Sequence, residues 1–229
     1  MANVVISGAS RGIGLELARQ YAEVGDRVYA FVRDPANAPK LEAVAAQAGG
    51  NLTIHAMDVA DDASVKAAAG EIGDVAIDTL INNAGINREH QGLDDMDYDA
   101  FREINEVMMI GPFRVFQAFL PNLEKAGTAR VMSVTSQLGA STWPYGGYYA
   151  YAGAKAGLNR VMRSVAIDVK DRGILVGVVH PGYVKTDMGG PEADIEPSES
   201  AAGIIAVTAA LTPETTGDFF KWNGEKHDW

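Results

Sequence analysis

Tyr151 and Lys155 stand four residues apart, the one Tyr-x-x-x-Lys in the chain. At that spacing two side chains share a face of a helix, one turn from each other. Ser136 stands where an apolar run over residues 130–135 gives way to a loop. A phenol beside an ammonium, met by a hydroxyl from a neighbouring strand end, suits proton transfer to a carbonyl oxygen. The positive charge of Lys155 favours the phenolate, so it is expected to draw the Tyr151 pKa down from about 10. On an ordinary surface helix the same pair is an interfacial tyrosine and a solvated lysine. What separates the two readings is whether the rest of the chain builds a ligand site facing them.

The elements that would position these residues can be followed from the N-terminus. Asn3–Ser7 is a short continuous apolar run, the pattern of a strand buried on both faces. It leads into Gly8-Ala9-Ser10-Arg11-Gly12-Ile13-Gly14, after which residues 15–24 carry helical periodicity. Strand, glycine turn and helix together let backbone N–H groups and a helix N-terminus hold a pyrophosphate. The spacing is G-x-x-x-G-x-G, which in another setting is simply a tight turn.

Arg27–Val32 reads as the second strand and ends in Arg33-Asp34-Pro35. In a dinucleotide fold this end meets the adenosine ribose, where an acidic side chain hydrogen-bonds a 2′-hydroxyl and an arginine accommodates a 2′-phosphate. Arg33, with Arg11 in the glycine turn beside it, points to NADP(H). Asp34 is the competing signal for NAD(H).

Residues 39–50 read as a helix, and residues 52–57 as a strand ending at Asp58-Val59, where an adenine would lie. Residues 61–72 form the next helix, N-capped by Asp61 or Asp62. A fourth strand over residues 78–81 ends in Asn82-Asn83-Ala84-Gly85, which suits close approach of backbone to a ligand, or an ordinary turn. Residues 98–126 read as one long helix crossed by Asn105, Gly111 and Pro112, with Pro112 expected to kink it. Asn105 suits a structural polar contact as well as a functional one.

Ser136 then leads through a Gly/Pro-rich loop into the Ala-rich helix of Tyr151 and Lys155, which continues to about residue 170. Ile174–His180 is a further apolar strand, closed by Pro181-Gly182-Tyr183-Val184-Lys185-Thr186. Residues 189–199 are polar and proline-rich and read as a mobile loop. A helix over residues 200–211 and a strand over residues 218–222 complete the chain.

Strands alternate with helices throughout. The pattern predicts one α/β domain over residues 1–229, a doubly wound Rossmann fold with a parallel sheet of about seven strands and ligands at the strands' C-terminal ends. The glycine turn, Arg33, Asp58, Asn82, Ser136 and Pro181 all fall at such ends. That convergence gives Tyr151 and Lys155 a site to face.

A net charge of −11 with no basic run argues against a nucleic-acid partner. The absence of cysteine excludes disulfides and thiolate metal sites. His55, His90, His180 and His227 show no ligand spacing, so a metal enzyme is not expected. With no basic leader and no apolar run long enough for a bilayer, the expectation is a cytoplasmic chain without membrane attachment.

On these motifs the chain resembles the short-chain dehydrogenase/reductase family over nearly its whole length. The matches are Ser7-Gly8-x-x-x-Gly12-x-Gly14, Asp58-Val59, Asn82-Asn83-Ala84-Gly85, Asn105, Ser136, Tyr151-x-x-x-Lys155 and Pro181-Gly182-x-Val184-x-Thr186. Residues 186–191 and 217–224 look further like the C-factor and sniffer-type carbonyl reductase branch. The resemblance implies Tyr151 as general acid and Ser136 as a hydrogen-bond donor to the carbonyl oxygen. It implies that Lys155 binds the nicotinamide ribose and depresses the Tyr151 pKa, with Asn105 holding a water that links Lys155 to solvent.

The glycine turn, with Ser10 and Ile13, would hold the cofactor together with Asp58, Val59, Asn82, Ala84, Gly85, Pro181, Gly182, Val184 and Thr186. In the family register the acidic slot falls on Val32 and the basic slot on Arg33, which again implies NADP(H). Ser7 stands where the family usually has threonine, a change that keeps the hydroxyl. The implied substrate is a small carbonyl or alcohol compound. Trp143, Tyr145, Tyr148 and Tyr183 are candidates for an aromatic pocket, and each suits packing equally. Family members pair the Tyr151 helix with its copy, so a homodimer or homotetramer is expected. The alternative is a non-catalytic dinucleotide-binding signalling or regulatory protein of the C-factor type.

Overall fold

Each apolar run read as a strand forms one. They are β1 (Asn3–Ser7), β2 (Arg27–Val32), β3 (Leu52–Ala56), β4 (Thr79–Asn82), β5 (Ala129–Val134), β6 (Ile174–His180) and β7 (Phe219–Lys221). The structure is a computed structural model that describes residues 1–88 and 92–229. His90 of the histidines considered above lies outside the described residues. The sheet runs β3-β2-β1-β4-β5-β6-β7, and every pairing is parallel.

The helices are α1 (Gly12–Glu23), α2 (Pro39–Gln47), α3 (Asp62–Ile72), α4 (Tyr98–Asn105), α5 (Gly111–Glu124), α6 (Tyr149–Asp168) and α7 (Pro197–Ala209). Period-two alternation in the strands sends successive side chains to opposite faces. Val5 and Phe31 therefore join the core under α3–α6, while Val4, Ile6, Val28 and Ala30 join the core under α1, α2 and α7. Parallel strands buried on both faces in this way have no polar side, which is why they read as unbroken apolar runs. After β3 the chain crosses back to lay β4 on the other side of β1, so the C-terminal ends of β1 and β4 frame a crevice.

Two details differ from the sequence reading, and a third selects between its alternatives. Residues 98–126 are not one helix bent at Pro112. A single π turn over Glu106–Ile110 separates α4 from α5, and Pro112 lies in the first turn of α5. A proline has no N–H to donate and its ring crowds the carbonyl four residues back; the wider turn takes up both defects before the proline.

The N-cap of α3 is Asp61, whose Oδ1 accepts from Ala63 N and Ser64 N at 2.7 and 3.3 Å. Asp62 instead pairs with Arg114 and Lys66. The segment after β6, read as a loop to residue 199, is tied back by a bridge between Val184 and Ile195 and by Lys185 N donating to Ile195 O at 2.9 Å. There α7 begins at Pro197, whose ring suits a first helical turn. Among the described residues, no helix is long and apolar enough to cross a membrane.

Candidate active site

One hydroxyl adds to the pairing that holds the β1 end to the β4 end. Ser7 Oγ accepts from Asn83 N at 3.1 Å and Ala84 N at 3.2 Å. Gly8 follows with φ +71°, and a side chain on it would begin 2.6 Å from the Ala84 Cα. Only glycine permits that turn and that approach together. The result is a floor of bare backbone leading to the start of α1, where no acidic residue occupies the first turn. Gly8 N and Ala9 N donate to Phe31 O at 2.9 and 3.2 Å, so it is the first-turn N–H groups of α1 and the positive end of its dipole that favour an anion here.

Above it opens a cavity of about 660 Å³, within the size range usual for ligand sites. Of the residues singled out in the sequence, the cavity brings together Gly8, Ser10, Arg11, Gly12 and Ile13 of the glycine turn, and Arg33 after β2. It is also lined by Asp58, Val59, Ala84, Gly85, Pro181 and Thr186, with Tyr151 and Lys155 at one end. Ser136 reaches it through Tyr151, with which it shares a side-chain hydrogen bond.

Other expected residues stand behind the wall. Gly14 is buried in the first turn of α1 against Asn83. Asn82 is 3% exposed, its Nδ2 donating to Ser133 Oγ at 3.2 Å and Pro112 O at 3.4 Å. Gly182 packs against Ile195 and Trp222, and Val184 is buried at its bridge to Ile195. Asn105 turns its Nδ2 back to Phe101 O at 2.9 Å, where α4 meets the π turn. Period-two alternation is the reason for the placement of Asn82. Asn82 still belongs to β4 and points into the sheet, so Asn83 is the residue that meets the cavity, its Nδ2 on Gly8 O at 3.0 Å.

The catalytic helix is placed by a short 3-10 turn, Gln137–Gly139, capped by Ser136 Oγ accepting from Leu138 N at 3.2 Å. A side chain on Gly139 would begin 2.8 Å from backbone and side-chain atoms of Lys155, so its absence lets α6 sit directly on this turn. Tyr148, the residue before α6, holds a left-handed backbone (φ +51°), a conformation that costs a non-glycine residue about 1 kcal/mol or more and needs a fixed surrounding to persist.

Lys155 is 5% exposed. Its Nζ donates to Val134 O at 2.8 Å and stands 5.8 Å from the centre of the Tyr151 ring. Burial pushes the Lys155 pKa down to about 8. The expectation that Lys155 acidifies Tyr151 is corrected here. Burial pushes the phenol up, and the hydrogen bond with Ser136 brings it partly back. The ammonium is drawn to a backbone carbonyl, and for the phenol its own burial and the Ser136 hydroxyl outweigh that charge.

The two arginines expected to converge on a phosphate both line the cavity but are engaged differently. Arg11 Nη1 pairs with Asp187 Oδ2 at 2.7 Å across the mouth of the cavity. Arg33 remains exposed at the adenosine end. Asp34 Oδ1 accepts from Ala36 N at 3.2 Å and opens the turn Pro35–Asn37. Asp58 Oδ1 is likewise committed locally, accepting from Ala60 N at 2.9 Å.

The aromatic candidates divide. Trp143 packs into a group of rings with His227 at 6.3 Å and Tyr145 at 5.7 Å. Tyr145, Tyr148 and Tyr183 are exposed. Sequence reasoning passed over Lys40, Asn83, Thr135 and Met108, which also line the cavity. Asn83 was visible in the quoted motif; the others carry no signal outside the tertiary fold.

A family model described as short chain dehydrogenase matches residues 2–196. The chain belongs to the short chain dehydrogenase family. It is 39% identical over 154 residues to the C-signal of Myxococcus xanthus, covering 67% of this chain and 93% of that one. Among solved structures, this short-chain dehydrogenase superposes on an NADPH-bound carbonyl reductase from chicken fatty liver with a TM-score of 0.93 and 33% identity, over 100% and 99% of the two chains. The carbonyl reductase Sniffer of Drosophila melanogaster gives a TM-score of 0.94 and 26% identity, with both chains fully covered. A short-chain dehydrogenase of this shape is an oxidoreductase of single-domain α/β architecture with a seven-stranded parallel sheet.

Proposed function

We propose that the chain is an NADP(H)-dependent carbonyl reductase and alcohol dehydrogenase acting on a ketone, aldehyde or secondary alcohol. The observation that carries the reading is one cavity with two chemically distinct ends. At one end the Ser136–Tyr151 hydrogen bond meets a buried Lys155, and at the other Arg33 lines the wall, making no ion pair among the described residues. The backbone floor at Gly8 and the helix start at α1 fit the diphosphate of a dinucleotide lying between them.

When bound, the nicotinamide cofactor supplies or accepts the hydride. The chain's residues orient and move the proton. Tyr151, a phenol protonated at neutral pH and pushed further up by its burial, has a proton to give to a carbonyl oxygen as general acid. Ser136 holds that oxygen through its hydroxyl, and Lys155 holds a ribose hydroxyl. Asn105 serves as the outer member of a water-mediated relay from Lys155. With Asp34 used as a local cap, a 2′-phosphate on Arg33 is a better fit than a 2′-hydroxyl on Asp34, and likeness to an NADPH-bound reductase supports that choice. By family resemblance the working unit is a homodimer or homotetramer in the cytoplasm.

The test is the initial rate of NADPH and of NADH oxidation with a panel of ketones, aldehydes and diketones, with Tyr151→Phe as control. Removing a general acid typically costs about 10²–10⁴-fold in turnover, with cofactor binding nearly unchanged. A Tyr151→Phe enzyme that keeps most of its kcat sinks the acid role. The 39% identity to C-signal favours a second reading, a non-catalytic dinucleotide-binding signalling protein. Tight NADPH binding with no turnover on any panel member would select it.

A further inference from the structure

The cavity's adenosine end holds a cation that neither the glycine motif nor the β2 end signals. Lys40 is the second residue of α2, directly after Pro39, and its side chain is part of the same wall as Arg33 and Asn37. The turn Pro35–Asn37, opened by the Asp34 cap, doubles the chain back so that the start of α2 faces the cavity. Four cations lie along the cavity's rim, and they differ in what they are doing. Arg11 is engaged by Asp187 at 2.7 Å, and Lys185 by Glu196 at 2.6 Å. Arg33 and Lys40 make no ion pair or hydrogen bond among the described residues, in a chain with 30 carboxylate residues against 19 lysines and arginines. The one carboxylate within electrostatic reach of Arg33, Glu103, is already bound by Arg88, so among the described residues neither Arg33 nor Lys40 has an anion of its own.

Resting on the NADP(H) reading above, we propose that Lys40 and Arg33 together read the 2′-phosphate, and that Arg11, held by Asp187, does not. A phosphate monoester near neutral pH carries more than one negative charge and several acceptor oxygens. The planar fork of Arg33 and the point charge of Lys40 satisfy different oxygens, with the Asn37 amide as a neutral donor beside them. The contribution of Lys40 is electrostatic and exposed, so it weakens with added salt.

The experiment titrates the full-length protein with NADPH, NADH and adenosine 2′,5′-bisphosphate. Binding is followed by tryptophan fluorescence for the first two and by calorimetry for the third. Lys40→Met keeps the aliphatic stem and removes a charge that has no partner in the fold, so its thermal midpoint should match wild type. It should raise the Kd for NADPH and for the bisphosphate by about 5–10-fold at low salt, as a partly screened charge contact does, with the NADH Kd unchanged. Arg33→Met should behave the same way, more strongly, while Arg11→Met should leave the NADPH-to-NADH ratio as in wild type. An NADPH-to-NADH preference as large in Lys40→Met as in wild type overturns the Lys40 assignment. A ratio that falls in Arg11→Met as far as in Arg33→Met overturns the exclusion of Arg11. A wild-type protein with no preference for NADPH overturns the cofactor reading itself, and the phosphate assignment with it.

Discussion

Lys155 is charged at neutral pH at a cost, because its ammonium is enclosed and, among the described residues, hydrogen-bonds only the Val134 carbonyl at 2.8 Å. A folded-state pKa of about 8 against 10.5 in the unfolded chain means the unfolded chain binds more protons between those values. Stability attributable to this residue therefore rises with pH across that window and is at its lowest below it. The shift corresponds to about 3 kcal/mol at ~1.4 kcal/mol per unit, and the lost hydrogen bond returns about 1 kcal/mol. Lys155→Met is thus expected to abolish turnover while stabilising the fold by about 1–2 kcal/mol, a rise of a few degrees in Tm by calorimetry. A lower Tm would show that the Val134 contact outweighs desolvation. Tyr151 carries the complementary expectation. With its phenol pushed up by burial, carbonyl reduction, which uses the protonated form, should hold through neutral pH. Alcohol oxidation, which needs the phenolate, should rise toward alkaline pH. Initial rates in both directions against pH check this, and parallel profiles would remove Tyr151 as the group that titrates.

Among the elements, α6 and the turn beneath it set the distance between the acid and its partners. Gly139 is the contact point, since a side chain there would begin 2.8 Å from Lys155 atoms. Gly139→Ala should push α6 outward, lower kcat by about tenfold or more through misplacement of Tyr151, and cost about 1–3 kcal/mol through overpacking. NADPH binding at the Arg33 end should be little affected. Equal kcat in the variant, measured beside its urea midpoint, would show that the turn yields without moving the helix. The π turn at Glu106–Ile110 makes a related point about legibility. Pro112 announced an irregularity in the chain, but sequence periodicity cannot distinguish a kink from a π turn, because both break the same register.

Across the molecule, acid stability depends on a residue outside the site. His180 ends β6 with 8% exposure, its Nδ1 without a hydrogen-bond partner among the described residues and its ring 5.9 Å from His227. Burial, with His227 and Lys221 nearby, pushes its pKa down to about 4. Between that value and about 6.5 the unfolded chain takes up a proton that the folded one refuses. Stability is therefore lost as pH falls through this window, by up to about 3 kcal/mol. His180→Phe should reduce the difference between urea-unfolding free energies measured near pH 7 and near pH 5. An unchanged difference would assign acid sensitivity to other groups.

The alternation of apolar runs with helical periodicity determined the layered α/β fold, because period two and period 3.6 are local properties of the chain. For the same reason the glycine turn, the β2 end at Arg33 and the Tyr151–Lys155 spacing could be placed at one side of the sheet before any coordinates. Distances and partners across the sheet were beyond it. That Asn83 rather than Asn82 meets the cavity, that Asp187 captures Arg11, that Lys40 comes round to the adenosine end and that burial outweighs Lys155 in setting the Tyr151 pKa all depend on contacts between residues far apart in the chain. Sequence spacing reports which residues share an element. Only packing decides what each side chain touches and how much water it keeps, and those two quantities set its charge and its role.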